Sequence, residues 1–548
     1  MKKMLADKIN LALAALAAET GEPAPPPGGF TVEEPRDPGH GHLASNAALA
    51  LAKTFRANPR QLAERILERL DNREGWIEKA ETAGPGFMNF TLSVKWWAEA
   101  LAALLAAGDD YGRRPPQGLR VMVEFVSANP TGPLHVGHGR GAAIGDALAR
   151  LLERAGFEVS REYYVNDAGR QMRLLGQSVL ARMRETAGDS APFPENHYRG
   201  EYIRDLAREV LAEKGPSVLD RPAEELAGEL TAFAAGRILG GLKADLAAFG
   251  VEYETWFPET SLHREGQVEK ALQSLRDKGF LYEQDGALFF RSTDFGDDLD
   301  RVLIKTDGDG TYFLADLAYH WNKLQRGFDQ LINVWGADHH GYVARVKAAV
   351  AALGGNPEAL SVLLVQFVSL ARDGRPVAMS TRAGEFVTLR EVLDEVGPDA
   401  ARFIFLTRSP DTTLEFDLNL ARAQTRDNPV YYVQYAGARV ESLIRQAGGL
   451  PEGRPDLGLL TQPEETALVR HLSAFPELVE TAARKREPHL LTAYLTALAR
   501  QFHYYYGRHP IVGAGPGLAP ARLTLCLAVR LVTRLGLGLL GVSSPDKM

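Results

Sequence analysis

His135 and His138 stand three residues apart, where a Gly/Pro-rich turn gives way to a helical pattern. That spacing puts both imidazoles on one face of a helix's first turn. The free backbone N–H groups and the positive dipole end of such a turn favour a polyphosphate. Two imidazoles there can donate hydrogen bonds to phosphate oxygens whose charge grows during nucleotidyl transfer. Gly137 removes a side chain where a nucleotide can lie against the backbone. The plainer reading, two surface histidines in a loop, fits less well, because strand, turn, histidine pair and helix come in the required order. A second set of candidates is acidic. Glu124 is the odd acid in the apolar run Val121 to Val126, where an unpaired carboxylate is costly; a ligand role and a structural ion pair are equally compatible with it. Asp316 follows Tyr312 by four residues, on one helical face. Asp338, His339 and His340 sit in a turn after the apolar run Leu331 to Trp335.

The elements that must position these groups follow the same logic. Val121 to Val126 reads as a buried parallel strand and Ser127 to Pro133 as a turn. A helix carrying Ile144, Leu148, Leu151, Leu152 and Ala155 on one face ends at Gly156, and Phe157 to Val165 is a second strand. Residues 173–255 read as successive helices, an insertion in which no metal-ligand spacing occurs. The fold is expected to resume near Leu288, with strands at Leu288 to Arg291, Asp300 to Lys305, Leu331 to Trp335 and Val362 to Leu370, and helices from Tyr312 and over Tyr342 to Leu353. That alternation predicts a doubly wound parallel sheet, whose ligands bind beyond the carboxyl ends of its strands. All three candidate turns fall at or beside such ends. Before this unit, residues 1–20 and the segments Ala44 to Lys53 and Arg60 to Leu70 read as helices, and Ala83 to Phe90 as a turn into a strand. After Thr388 the pattern is helical to the end. Tyr431, Tyr432, Tyr435, Tyr504, Tyr505 and Tyr506 gather there with Arg439 and Arg508, a composition suited to unstacked single-stranded bases; a tyrosine-rich core accounts for about half of them.

The 548 residues and 45% hydrophobic content allow several cores, and the length predicts three or four domains. A net charge of −8 argues against a uniformly basic nucleic-acid binder but leaves room for a local basic face. A single cysteine, Cys526, rules out a disulfide framework and a cysteine zinc site within the chain and fits a reducing cytoplasm. Asp7, Lys8 and Asn10 interrupt the apolar N-terminal run, so no signal peptide is expected, and no stretch is long enough to span a membrane.

The string EFVSANPTGPLHVGHGRGAAIGDALARLL, from Glu124 to Leu152, resembles the HIGH signature of the class I aminoacyl-tRNA synthetases, and at that length the arginyl-tRNA synthetases among them. GHLASNAALALAK and GPGFMNFTLS resemble the N-terminal domain of that family, with His42 where an Asp is usual. DAARFIFLTR, NPVYYVQYAGAR, FHYYYGRH and LGVSSPDKM resemble its helical anticodon-binding domain, with Ala401 where Leu is usual. The resemblance implies an α/β chain: a Rossmann-like parallel-sheet catalytic domain at 113–387 with a helical insertion about 173–287, an α+β tRNA-contacting domain at 1–112, and an all-α domain at 388–548. It implies ATP-dependent ligation of L-arginine to tRNA(Arg), with Mg2+ on the ATP phosphates, no structural metal, a cytoplasmic monomer and no membrane.

Residue by residue, the resemblance places Pro130, Gly132, His135, Gly137, His138, Met379 and Ser380 at ATP, and Glu124, Asn129, Tyr312, Asp316, Asp338 and His339 at arginine. Asn89, Tyr435, Arg439 and Met548 match tRNA contacts; for Asn89 a backbone-satisfied amide is the competing reading. The second class I signature, KMSKS, supplies lysines to the departing pyrophosphate, and here Ala378 and Thr381 occupy the two lysine positions. The lysine that some family members carry just before the first histidine is also absent, since Gly132 and Pro133 fill that region. Arg382 or Arg375 is expected to supply the charge, with Arg382 the nearer. Two alternatives remain open to the sequence: another class I synthetase, and a tRNA-binding relative that has lost catalysis.

Overall fold

The computed structural model describes residues 1–22, 28–377, 387–451 and 453–548. Met379, Ser380 and Arg382, with the substituted positions Ala378 and Thr381, lie outside the described residues.

Val121 and Val123 alternate with Met122 and Glu124 along the strand Arg120–Phe125, all of them buried, as a central parallel strand requires. Among the described residues the sheet around it has five strands, all parallel, in the spatial order Leu360–Val365, Gln330–Gly336, Arg120–Phe125, Glu158–Val165, Thr255–Pro258. The chain leaves the central strand to one side, then returns to build the other. The order therefore reverses between Arg120–Phe125 and Gln330–Gly336, and a crevice opens beyond their carboxyl ends. The helix Val136–Arg154 covers one face, so closely that a methyl group on Gly145 would sit 2.2 Å from the Phe125 ring. The helix Tyr312–Gln325 is bonded to side chains of the other face, where Asn333, Glu124 and Glu162 form a polar row across three neighbouring strands.

The edge strand Thr255–Pro258 comes from within the range expected as a helical insertion; it follows three long helices, Gly169–Thr186, Glu201–Lys214 and Ala223–Ala248. Four sequence expectations are corrected. The strands near Leu288 and Asp300 do not join the parallel sheet: Leu281–Gln284, Ala287–Phe290 and Arg301–Ile304 pair antiparallel with one another. The apolar run Val362 to Leu370 splits into Leu360–Val365 in the parallel sheet and Val368–Arg372 in another. The region after Thr388 is not wholly helical, because Leu414–Asp417 pairs in parallel with Val368–Arg372. Ala44 to Lys53 begins as the strand Leu43–Ser45 before the short helix Ala47–Leu51. In the first two cases the strand pattern was legible and the partner was not, since apolar runs do not say which sheet they enter; in the last two a short strand lies within a range that reads as helix.

The N-terminal part packs the helices Lys2–Thr20, Pro59–Glu68 and Val94–Ala107 with an antiparallel four-stranded sheet. The C-terminal part is a bundle, Pro429–Gln446, Pro463–Ser473, Phe475–Lys485, His489–Arg508 and Leu518–Leu539, with Cys526 buried inside it. No helix among the described residues is long and apolar enough to cross a membrane.

Candidate active site

His135 is the N-cap of the helix Val136–Arg154, an unusual residue at that position. Its Nδ1 accepts from the backbone N–H groups of Gly137 (3.1 Å) and His138 (3.3 Å), and the His138 Nδ1 accepts from the His135 N–H at 3.2 Å. The two side chains form a reciprocal capping box, built from histidines instead of Ser and Glu. The rings stack with centroids 3.6 Å apart. With both Nδ1 atoms accepting, the proton of each neutral ring sits on Nε2. Burial pushes the His138 pKa down to about 3, with His135 adding to the effect. Burial also lowers that of His135, against an opposing pull from Asp338. The pair is neutral at pH 7 and offers N–H dipoles, not charge. A methyl group on Gly137 would lie 3.0 Å from the His135 Cε1, so the glycine makes room first for the imidazole.

The acids lie across the crevice. Glu124 is 5% exposed and ion-paired with the fully buried Lys323 at 2.5 Å, while Ser127 Oγ donates to its other oxygen at 2.9 Å. Lys323 also donates to Asn333 Oδ1 at 3.0 Å. That contact orients the amide so that Asn333 Nδ2 donates to His320 Nε2 at 3.2 Å; His320 then carries its proton on Nδ1 and donates to the Asp316 carbonyl at 2.8 Å. Burial pushes the His320 pKa down to about 3, so that ring too is neutral. The Asp316 carboxylate accepts from the Tyr342 hydroxyl. Burial, followed by the nearby Glu124 and Glu259, drives its pKa up to about 7, against the pull of Tyr342 and Lys323. Glu259 accepts from the Tyr164 hydroxyl at 2.7 Å and is itself raised by burial.

The structure thus brings Glu124 and Asp316 together and adds Glu259, which sequence reasoning did not single out. Lys323, His320, Asn333 and Tyr342 were missed as well. Asp316, His320 and Lys323 recur at steps of four and three along one helix, a polar stripe that did carry a signal. Asn129 Nδ2 donates to Gln171 at 2.6 Å beside the turn, and Tyr312, at the head of its helix, is 58% exposed. Asp338 and His339 are exposed in the turn Ala337–Tyr342, close to each other and, for Asp338, to His135. Pro130 is buried, and a methyl group on Gly132 would meet the Tyr202 hydroxyl at 3.2 Å. Just beyond the undescribed segment, Leu389 N donates to the Leu134 carbonyl at 2.7 Å and Thr388 bridges His135, so that end is stitched to the histidine turn. Arg375 is exposed in the strand pair leading into the same segment.

Of the expected tRNA contacts, Asn89 is mid-strand between Ala44 and Glu81 and 6% exposed, which gives it a place in the sheet and not on the surface. Arg439 lies over the rings of Tyr435 (4.7 Å) and Tyr506 (4.4 Å), and Arg508 over Tyr504 (4.2 Å). Of the six tyrosines only Tyr505 is fully buried; the other five keep surface. Met548 is half exposed and lines a cavity of about 400 Å³ with Tyr431, Gln434 and Asp399. No group of three or more His, Cys, Asp or Glu side chains among the described residues is disposed to hold a metal ion.

Residues 100–417 match the family model described as tRNA synthetases class I (R), catalytic domain; 433–548 match the DALR anticodon binding domain, and 3–92 the arginyl tRNA synthetase N terminal domain. The chain is 50% identical over 525 residues to an arginine–tRNA ligase of Syntrophotalea carbinolica, covering 95% of both chains. It is 52% identical over 528 residues to that of Nitratidesulfovibrio vulgaris strain DP4, covering 94% of this chain and 95% of the relative. The solved Thermus thermophilus arginyl-tRNA synthetase superposes over 100% of both chains with a TM-score of 0.78 at 27% identity.

Proposed function

The chain belongs to the arginyl-tRNA synthetases, and from that premise we propose how its own residues carry the ATP-dependent ligation of arginine to tRNA. The arginine carboxylate attacks the α-phosphorus of ATP, giving arginyl-adenylate and pyrophosphate; the 2′-hydroxyl of the terminal adenosine of tRNA(Arg) then takes the arginyl group and AMP leaves. His135 and His138 donate through Nε2 to phosphate oxygens as charge builds on them. The observation that carries this reading is the reciprocal cap, which fixes both rings by their Nδ1 atoms and both tautomers with them. Pro130, Gly132 and Gly137 shape the turn against the nucleotide. Neutral imidazoles leave the net charge of pyrophosphate to be met elsewhere: by Mg2+ that enters with ATP, and by Arg382, with Arg375 as the second candidate. Met379 and Ser380 complete the nucleotide side.

Arginine brings a guanidinium and an α-ammonium, both cationic. Asp316, Tyr312 and Glu259 receive the guanidinium, Glu124 and Asn129 the amino-acid end, and Asp338 and His339 border both substrates. Tyr435, Arg439 and Met548 offer the tRNA a stacking face beside the anticodon-binding bundle. The working state is a cytoplasmic monomer.

His138→Ala tests the reading. Losing one donor to developing charge costs about 10²–10³ in rate, so single-turnover adenylation at saturating tRNA should fall by that factor while ATP affinity changes little. Weaker ATP binding at an unchanged rate would make His138 a ground-state anchor only.

A further inference from the structure

The turn between the central strand and the histidine helix is strained. Val126 has φ +69° and Ser127 φ +44°, two consecutive non-glycine residues in the left-handed region, the first of them β-branched. Such backbone persists only where its surroundings over-determine it. Three tyrosine hydroxyls do so here by donating to the turn's own carbonyls: Tyr253 to Phe125 at 3.2 Å, Tyr163 to Ala128 at 2.8 Å and Tyr202 to Thr131 at 2.7 Å. They come from three different places: the strand Glu158–Val165, the helix Glu201–Lys214, and the link between the helix Ala223–Ala248 and the strand Thr255–Pro258. Tyr163 and Tyr253 are held by aromatic stacking on Trp256 and Phe125, with centroids 4.4 and 4.5 Å apart. Tyr202 folds back over its own helix start, where a methyl group on Gly200 would come within 2.4 Å of its ring.

We propose that Tyr202 and Tyr163 are positioning residues that divide the turn between the two substrates: Tyr202 holds Thr131 and Gly132 for ATP, and Tyr163 holds Ala128, and with it the neighbouring Asn129, for arginine. Neither hydroxyl needs to touch substrate. Each fixes a carbonyl whose neighbours do, and Tyr202 makes the insertion part of the nucleotide site. The inference rests on the substrate assignment made above, with ATP on the His side of the turn and arginine on the Asn129 side.

Tyr202→Phe and Tyr163→Phe each remove one hydroxyl and keep the ring. A lost intramolecular hydrogen bond is worth about 2- to 12-fold in an equilibrium, so that is the size of effect to read. In ATP–pyrophosphate exchange with tRNA present, Tyr202→Phe should raise the KM for ATP or lower kcat within that range and leave the KM for arginine unchanged. Tyr163→Phe should raise the KM for arginine and leave that for ATP unchanged. Equal shifts in both constants for both variants, or lower Tm with unchanged kinetics, would reduce the tyrosines to fold-holding residues and overturn the proposal. If the buried Tyr163 variant does not fold, Tyr202→Phe decides alone through its ATP-against-arginine split. Asp316→Asn in the same assay reports on the substrate assignment itself: if it leaves the KM for arginine unchanged, that assignment has failed, whatever the tyrosine variants do.

Discussion

The histidine turn and the acid pocket face one crevice but are built by opposite means. At the turn the two rings are fixed by near neighbours, each by a backbone N–H two or three positions away and by the other ring, although Thr388 pairs with the His135 backbone and three tyrosine hydroxyls hold carbonyls before it. In the pocket the constraints are tertiary. Glu124 depends on Lys323, about two hundred residues along the chain, and Lys323 in turn on Asn333. Asp316 depends on Tyr342, and Glu259 on Tyr164. Donors whose charge state must not change are assembled locally and neutral. Acids that must wait, desolvated, for a cation are held by distant partners: Lys323 pairs with Glu124, and the hydroxyls of Tyr342 and Tyr164 offset part of the burial that raises the pKa of Asp316 and Glu259.

Breaking the network should therefore cost more stability than breaking the turn. Lys323→Met leaves Glu124 buried and unpaired, and removing one partner of a buried pair costs about 3–5 kcal/mol. Chemical denaturation should show a loss of that size. Adding Glu124→Leu should recover most of it, since replacing both charges with apolar groups is close to neutral. A single Lys323→Met variant as stable as the parent would mean that the pocket is not held in this way.

Asp316→Asn tests what the network is for. Taking one carboxylate from a desolvated guanidinium pair should weaken arginine binding by about 2–5 kcal/mol, read by equilibrium binding. The same group gives a pH signature. Its folded pKa is raised to about 7 by burial and by Glu124 and Glu259, so below that value the empty pocket holds a proton that the guanidinium must expel. Arginine affinity should be level above pH 7 and weaken about tenfold per unit below it, with no such slope in Asp316→Asn. Affinity that is flat from pH 5.5 to 8 in the parent would place the guanidinium elsewhere.

The same contrast decides what the sequence disclosed. His135, Gly137 and His138 announce themselves because local chemistry is written in adjacent residues. Four of the five parallel strands were legible for the same reason, each having its own period, whereas Thr255–Pro258 falls in the range that reads as a helical insertion. Lys323 reads as one more charge in an amphipathic helix; only the parallel register that sets Asn333 beside Glu124 and Glu162 shows that it points into a polar row. Asp300 to Lys305 and Leu288 to Arg291 were strands, as their composition said, but their antiparallel partners lie in each other and not in the main sheet. The resemblance places Asn89 at tRNA, with a backbone-satisfied amide as the competing reading, and the pairing on both its sides makes it an interior strand residue.

The smallest effect is expected where the comparison is sharpest. Gly137 occupies the second position of the histidine helix, where alanine is favoured over glycine by about 1 kcal/mol. A methyl group there would sit 3.0 Å from the Cε1 and 3.1 Å from the Nδ1 of His135, close enough to force the imidazole to shift by a few tenths of an ångström. That shift lengthens the bonds from the Gly137 and His138 N–H groups and turns the Nε2 donor. The contacts that aim the two rings being local, denaturation should place Gly137→Ala within about 1 kcal/mol of the parent on either side. The adenylation rate should nonetheless fall about tenfold, the cost of roughly 1.4 kcal/mol of misdirected transition-state hydrogen bonding, with arginine affinity unmoved. If stability and arginine affinity fall together in Gly137→Ala, the turn is coupled to the acid network after all, and the separation of the two regions is wrong.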